Sequence, residues 1–228
     1  MSESSFRDPG IPDGEKSVYV CGLVDQPPGF DLVSVTHHDG DGYRSLVQVT
    51  PSYGSFAITV EQLFQRAGGQ LRAATYRAET VSGATVVSRE EAAFLGTTHL
   101  QIGGGLAPFP TGLVPLAGVL TLLRGLDLTE GATAELNLWL AFSVHIPVTA
   151  KVEQCVPVGV PAGLIECWPI RLRPRLAGMN PMFEKILGGF LPPAVVYIEA
   201  APPHRTVRVG FPTGPLPGDP RALLELVS

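Results

Sequence analysis

Residues 31–50 read DLVSVTHHDGDGYRSLVQVT, and this stretch decides the fold class. Asp31 to Thr36 and Tyr43 to Thr50 read as two strands around His37-His38-Asp39-Gly40-Asp41-Gly42. The two Asp-Gly steps supply the positive φ that a tight hairpin demands. Outward from it the pattern recurs. Ser55 to Phe64 and Leu71 to Thr80 flank Ala67-Gly68-Gly69-Gln70, and Ser82-Gly83 turns the chain into Ala84 to Ser88. Together these predict an antiparallel meander.

The middle of the chain changes character. Phe109-Pro110-Thr111-Gly112 leads into LVPLAGVLTLLRG over residues 113–125, where an early proline and a closing glycine suit a helix. The predicted helix is apolar nearly all round, so it should lie buried on the sheet. A second short helix is expected at Pro181 to Leu187 with Asn180 as its cap. Ala134 to Val144 alternates, with Leu136, Leu138, Leu140 and Phe142 on one face and Asn137, Trp139 and Ser143 on the other. Val148 to Val156 and Leu164 to Leu172 continue as strands, Ala194 to Ala200 and Arg205 to Phe211 form a last hairpin, and Arg221 to Val227 is an edge strand or a short helix. The expected fold is mostly β (α+β): one domain over 1–228, with an irregular arm over 1–17. Its sheet is a strongly curved antiparallel one or an open half-barrel, with one buried helix at about 113–125 and the second at 181–187.

Composition narrows the function. Apolar residues make up 45% of the 228 and charged ones 16%, below the usual ~25%. Yet the strongly apolar run Leu113 to Leu123 is about 11 residues, against the roughly 20 that cross a bilayer. The surplus must fill a core, a cavity or an interface. With a net charge of −5 and a densest basic run of only Arg171, Arg173 and Arg175, the chain lacks the footprint of a nucleic-acid binder. Met1-Ser2-Glu3-Ser4-Ser5 has none of the regions of a secretory signal, and Cys21, Cys155 and Cys167 form no CxxC pair, so a reduced, cytoplasmic protein is expected.

A run of turn signatures carries a resemblance. Leu123-Arg124-Gly125-Leu126 closes the predicted helix and Leu128-Thr129-Glu130-Gly131 precedes a long strand. Lys151-Val152-Glu153-Gln154-Cys155-Val156, Val160-Pro161-Ala162-Gly163, and a Val196-Tyr197-Ile198 strand beside Arg205-Thr206-Val207-Arg208-Val209 follow. In this order, over about residues 110–211, the chain resembles a family of uncharacterised bacterial proteins with a domain of unknown function. Members of that family are often exported, and their fold is related to the periplasmic lipoprotein carriers. The likeness implies a curved antiparallel sheet with a helix across its concave side, an architecture that holds an apolar ligand in some relatives. It transfers no catalytic residue. Cys155 stands where that family has Glu, with Glu153 two residues earlier, and the family's signal peptide has no counterpart.

Catalytic motifs are weak. His37-His38-Asp39-Gly40-Asp41 has metal-ligand chemistry, but adjacent strand residues point to opposite faces and the Asp-Gly steps are turn formers. His37, His38, His99, His145 and His204 show no HxxxH or HxH spacing. Gln101-Ile102-Gly103-Gly104-Gly105 lacks any phosphate-binding fingerprint and reads as a loop. No GxSxG elbow exists, and Cys155 and Cys167 sit in apolar strands as packing. The remaining candidates are polar residues beside aromatic ones on strands. Trp139 shares a face with Asn137, Ser143 and His145, Arg171 shares one with Arg173, and Tyr197 shares one with Glu199. An arginine and a carboxylate inside a dry cup would bind an anionic head group or polarise a carbonyl; on a solvated face they would be surface charge. Two functions stay open. One is a binding protein holding an apolar or lipid-like small molecule in a β-sheet cup through Trp139, Asn137, His145, Arg171, Arg173, Tyr197 and Glu199. The other is a cofactor-free enzyme of cyclase or isomerase type acting in the same cavity. No metal or cofactor is expected, and a homo-oligomer is left open.

Overall fold

The 31–50 hairpin forms as its turn residues dictate. In the computed structural model β2 (Phe30–Asp39) and β3 (Gly42–Pro51) pair from Phe30↔Pro51 to Asp39↔Gly42. The structure describes residues 6–100, 106–110, 112–141, 144–175, 193–214, 216 and 218–228. The helix expected at Pro181–Leu187 and its cap Asn180 lie outside them. β4 (Phe56–Ala67) and β5 (Gln70–Ser82) join through Gly68 and Gly69, both at positive φ, and β6 (Thr85–Ala93) completes the meander.

Residues Leu113–Gly125 depart from expectation. Leu113–Pro115 is a short strand, β9, parallel to β10 (Thr133–Ala141) through Leu113↔Asn137 and Pro115↔Trp139. Parallel neighbours need a crossover. It is supplied by a 3-10 turn over Leu116–Gly118, one helical turn α1 over Val119–Leu122, and a second 3-10 turn over Leu123–Gly125. The expected helix of about 11 residues is thus shortened by the pairing that makes the sheet mixed. Its burial holds: Leu122 and Leu123 are fully enclosed.

The rest of the sheet comprises β1 (Glu15–Leu23), β11 (Val144–Val152), β12 (Val156–Val160), β13 (Gly163–Pro174), β14 (Ala194–Glu199), β15 (Thr206–Pro212) and β16 (Arg221–Leu226). Its order is β6-β5-β4-β3-β2-β1-β16-β15-β14-β13-β11-β10-β9, with β12 beside β13. The sheet is not closed into a barrel. A separate pair, β7 (Thr98–Leu100) and β8 (Leu106–Pro108), stands off it. The C-terminal segment is a strand, but not at an edge: β16 pairs with both β1 and β15 and joins the two halves. Its alternation of buried Ala222, Leu224 and Leu226 fits an inner strand with one face on the core.

Directly opposed residues share a face. Val60, Val47 and Ser34, then Tyr19, Leu226 and Val209, then Val196, Ile170, Val152, Ala150 and Leu136 all fall on one face and line the core. The crossover lies on this face. A Cβ on Gly118 would stand 2.9 Å from the Gln62 side-chain oxygen of β4, while Arg124 reaches Glu15 of β1.

Residues 6–14 are irregular but pinned, and the arm expected over 1–17 gives way to β1 at Glu15. Phe6 and Ile11 are buried, Leu71 donates to the Phe6 carbonyl at 2.7 Å, and Arg7 donates to that of Gly125 at 2.7 Å. Asp8 accepts from the Tyr43 hydroxyl and from Arg66 at 2.7 Å. Burial works to raise the Asp8 carboxyl, but the hydrogen bonds from Tyr43, Gly10 and Arg66 outweigh it and hold the group below its usual range. The His-His-Asp run belongs to the same fastening: His38 Nε2 lies 2.8 Å from the Ile11 carbonyl, and His37 lies 3.4 Å from Asp13. Among the described residues no group of three metal-ligating side chains forms.

Candidate ligand site

Register places all seven sequence candidates on one face, opposite to the face that Leu136, Ala150 and Ile170 share. Asn137↔Pro147 and Trp139↔His145 on β10 and β11 continue through Lys151↔Arg171 to Arg171↔Val195 and Pro169↔Tyr197. They fall into two groups. Arg171, Arg173, Tyr197 and Glu199 form local pairs on the outward surface. Arg171 grips Glu153 with two bonds at 2.6 and 3.0 Å, and hydrogen bonding from it holds Glu153 below the usual carboxylate range, with Arg173 adding its charge. Glu199 accepts from Arg205 at 2.9 Å, and Tyr197 packs beside Cys167 with Arg208 over its ring at 5.9 Å.

In the second group Trp139 is covered, while Asn137 and His145 are half-buried. Trp139 is only 2% exposed because its ring meets Tyr76 edge-on at 4.7 Å and Phe94 at 5.3 Å. Tyr76 lies on the core face of β5, opposite Gln62, while Trp139 lies on the outer face of β10. The two ends of the sheet therefore overlap, with β10 tucked beneath β5. The cluster extends through the β7–β8 pair: Phe94 meets Phe109 at 5.0 Å, His99 stacks on Phe109 at 4.2 Å, and His99 meets His145 at 5.8 Å. A cavity of about 360 Å³ adjoins these rings, walled by Phe94, Phe109, Phe6 and Leu113, with Arg72 and Thr98 among its polar lining.

Polar groups inside this region are unusually poorly matched. Both ring nitrogens of His99, Nδ1 of His145 and Nε1 of Trp139 are buried without a hydrogen-bond partner among the described residues. Each such group costs about 1–3 kcal/mol if nothing meets it. Burial, with the Glu90 charge, pushes the Tyr76 phenol up to about 12. From Tyr76 a polar row runs across the core face, strand by strand: Tyr76, Gln62, Ser45, Thr36 and Glu15. Ser45 Oγ and both amide atoms of Gln62 are unpartnered too, directly under the crossover. At the far end Arg124 binds Glu15 at 2.6 and 3.0 Å and the Pro203 carbonyl at 2.7 Å.

Of the residues singled out from the sequence, Trp139 and His145 lie in this ring cluster, while Tyr76, Phe94, His99 and Phe109, which complete it, are not among them. These come from segments that only the overlap of the sheet ends brings together, so no spacing in the chain announces them.

The cysteines offer no activated nucleophile. Burial, reinforced by the Glu199 charge, pushes the Cys167 thiol up to about 12, and its sulfur donates to the Ile165 carbonyl at 3.3 Å. Cys21 and Cys155 are also raised, both by burial first. With iodoacetamide at pH 8, partly exposed Cys21 and Cys155 are expected to label while Cys167 stays unmodified; peptide mapping by mass spectrometry reads this directly.

No protein-family model matches the chain, and no curated protein matches it. Among solved structures it is similar to a Bacteroides fragilis protein described as exported and as having a YmcC-like fold. That match has 12% identity and a TM-score of 0.33, covering 99% of this chain and 98% of the other. It is also similar to a Parabacteroides distasonis protein described as a lipoprotein, at 10% identity and a TM-score of 0.36, covering 100% and 99%. No family is shown for the chain. Those two proteins are described as exported and as a lipoprotein, and the cytoplasmic location expected from the sequence is withdrawn. No described helix is long and apolar enough to cross a membrane.

Proposed function

We propose that this chain is a binding protein that holds an apolar, lipid-like small molecule where the two ends of its curved sheet overlap. The observation that carries this reading is the cavity of about 360 Å³ walled by Phe6, Phe94, Phe109 and Leu113. Its size falls in the usual range of small-molecule pockets, roughly 300–1,000 Å³, and apolar walls with a few polar groups are the usual lining. The apolar surplus of the composition supports the same reading, since burial of an oily guest is driven by the area it removes from water.

N-phenyl-1-naphthylamine, which fluoresces in apolar surroundings, tests it. The purified chain is expected to take up the dye saturably and release it to sodium myristate. Thr98 lines the cavity and is exposed, so Thr98→Trp should obstruct it and weaken dye binding at least about tenfold with the thermal melt unchanged. Absence of saturable uptake by the unmodified chain would sink the reading.

A further inference from the structure

We infer that the ring cluster of His99, His145 and Trp139 is the head-group end of this site, and that the group it takes is a carboxylate. The inference rests on the binding reading above and names its ligand class: an apolar carboxylic acid.

Three strands contribute one ring each. Trp139 and His145 stand directly opposite one another on β10 and β11, and the β7 residue His99 closes over His145 at 5.8 Å. His99 and Trp139 are more than nine-tenths buried, at 6% and 2% exposure. Four ring nitrogens in this small volume have no partner among the described residues. Native interiors leave few polar atoms in that condition, and those they leave call for an explanation.

Their chemistry selects the guest. An indole nitrogen only donates, and a neutral imidazole brings one N–H and one acceptor nitrogen. Trp139 thus rejects a group that can only donate, such as an ammonium. A carboxylate accepts at two oxygens with about four lone-pair positions, so it can meet the indole and both imidazoles together. An acid entering in its protonated form passes its proton to an imidazole nitrogen. The products are a carboxylate and an imidazolium, so no net charge is carried into the interior, and the resulting hydrogen bonds are of the strong, charge-assisted kind.

The cluster and the cavity share a wall. Phe109 lines the cavity and stacks on His99; Phe94 lines it and packs against Trp139. Phe94 and Phe109, in contact at 5.0 Å, stand between the cavity and the histidines, so an acyl chain in the cavity would bring its head group against these two rings and part them to reach the ring nitrogens.

The experiment compares myristic acid with methyl myristate and myristyl alcohol as displacers of the dye from the unmodified chain, so the first result depends on no variant. The acid is expected to bind at least about tenfold more tightly than either neutral analogue. His99→Phe and Trp139→Phe, each checked by thermal melt, should remove most of that preference, weakening the acid at least about tenfold relative to methyl myristate. Equal affinity for acid and ester would overturn the inference, assign the ring nitrogens to buried water, and leave the apolar site standing. Failure of all three to displace dye would remove the binding reading itself. Stoichiometric Zn²⁺ binding that His99→Phe abolishes, without an acid preference, would overturn the inference in favour of a metal pair.

Discussion

Replacing Arg124 with alanine is expected to cost about 3–5 kcal/mol of stability, read as a loss of urea resistance. Arg124 is 4% exposed and Glu15 13%, and the two are joined by paired bonds at 2.6 and 3.0 Å. The same guanidinium donates twice to the Pro203 carbonyl, at 3.0 and 2.7 Å. One side chain thus fastens the crossover, the first strand and the loop between β14 and β15. Its removal leaves a carboxylate and a carbonyl stranded in a dry place, and that stranded charge dominates the loss. The sharper test is the pair. Arg124→Leu with Glu15→Leu removes both charges, and a buried ion pair replaced by apolar groups is often neutral. The double variant should therefore recover most of what Arg124→Ala loses. A single-variant loss below about 1 kcal/mol would show that Glu15 reaches water and that the pair behaves as a surface bridge.

That pair also marks the limit of what the chain order reveals. The hairpins were legible because their cause is local: Gly68-Gly69 and the Asp39-Gly40 step act within a few residues of themselves. The alternation of β10 was legible for Leu136, which is fully buried, and failed at Leu140, which is exposed beside the irregular pairing at Trp139 and Ala141. Arg124 read as the end of a helix, because its partner lies 109 residues away. The polar row from Glu15 to Tyr76 was hidden for the same reason. It exists only through the register of five strands, each contributing a single unremarkable residue. Strand period grouped Arg171 with Arg173 and Tyr197 with Glu199, but period says neither whether a face looks inward nor which stretch of it will be covered. The overlap of β10 beneath β5 makes that selection, covering Trp139 and leaving the arginines outside.

The two glycines of the Asp-Gly-Asp-Gly turn separate local from tertiary causes most clearly. Both read as turn formers, and only Gly40 is one: its φ is +54°, and a Cβ there would meet open space. Gly40→Ala should cost about 1–2 kcal/mol, the penalty of a side chain in the left-handed region. Gly42 has an ordinary backbone conformation, yet a Cβ there would lie 1.7 Å from the Phe64 carbonyl oxygen and 2.8 Å from its carbon. Both are backbone atoms, so no rotamer change relieves the contact and β3 must part from β4. That parting would occur beside Tyr43 and Phe64, each 1% exposed, where β4 already shifts its pairing with β5 between Leu63 and Phe64. Gly42→Ala is therefore expected to lose more than about 4 kcal/mol, an exceptional figure for adding one methyl group. Urea unfolding of both variants beside the parent measures the contrast. Equal, small losses at the two positions would mean that β3 and β4 separate easily here. The close approach at Gly42 would then not be what holds the arm, Tyr43 and the meander together.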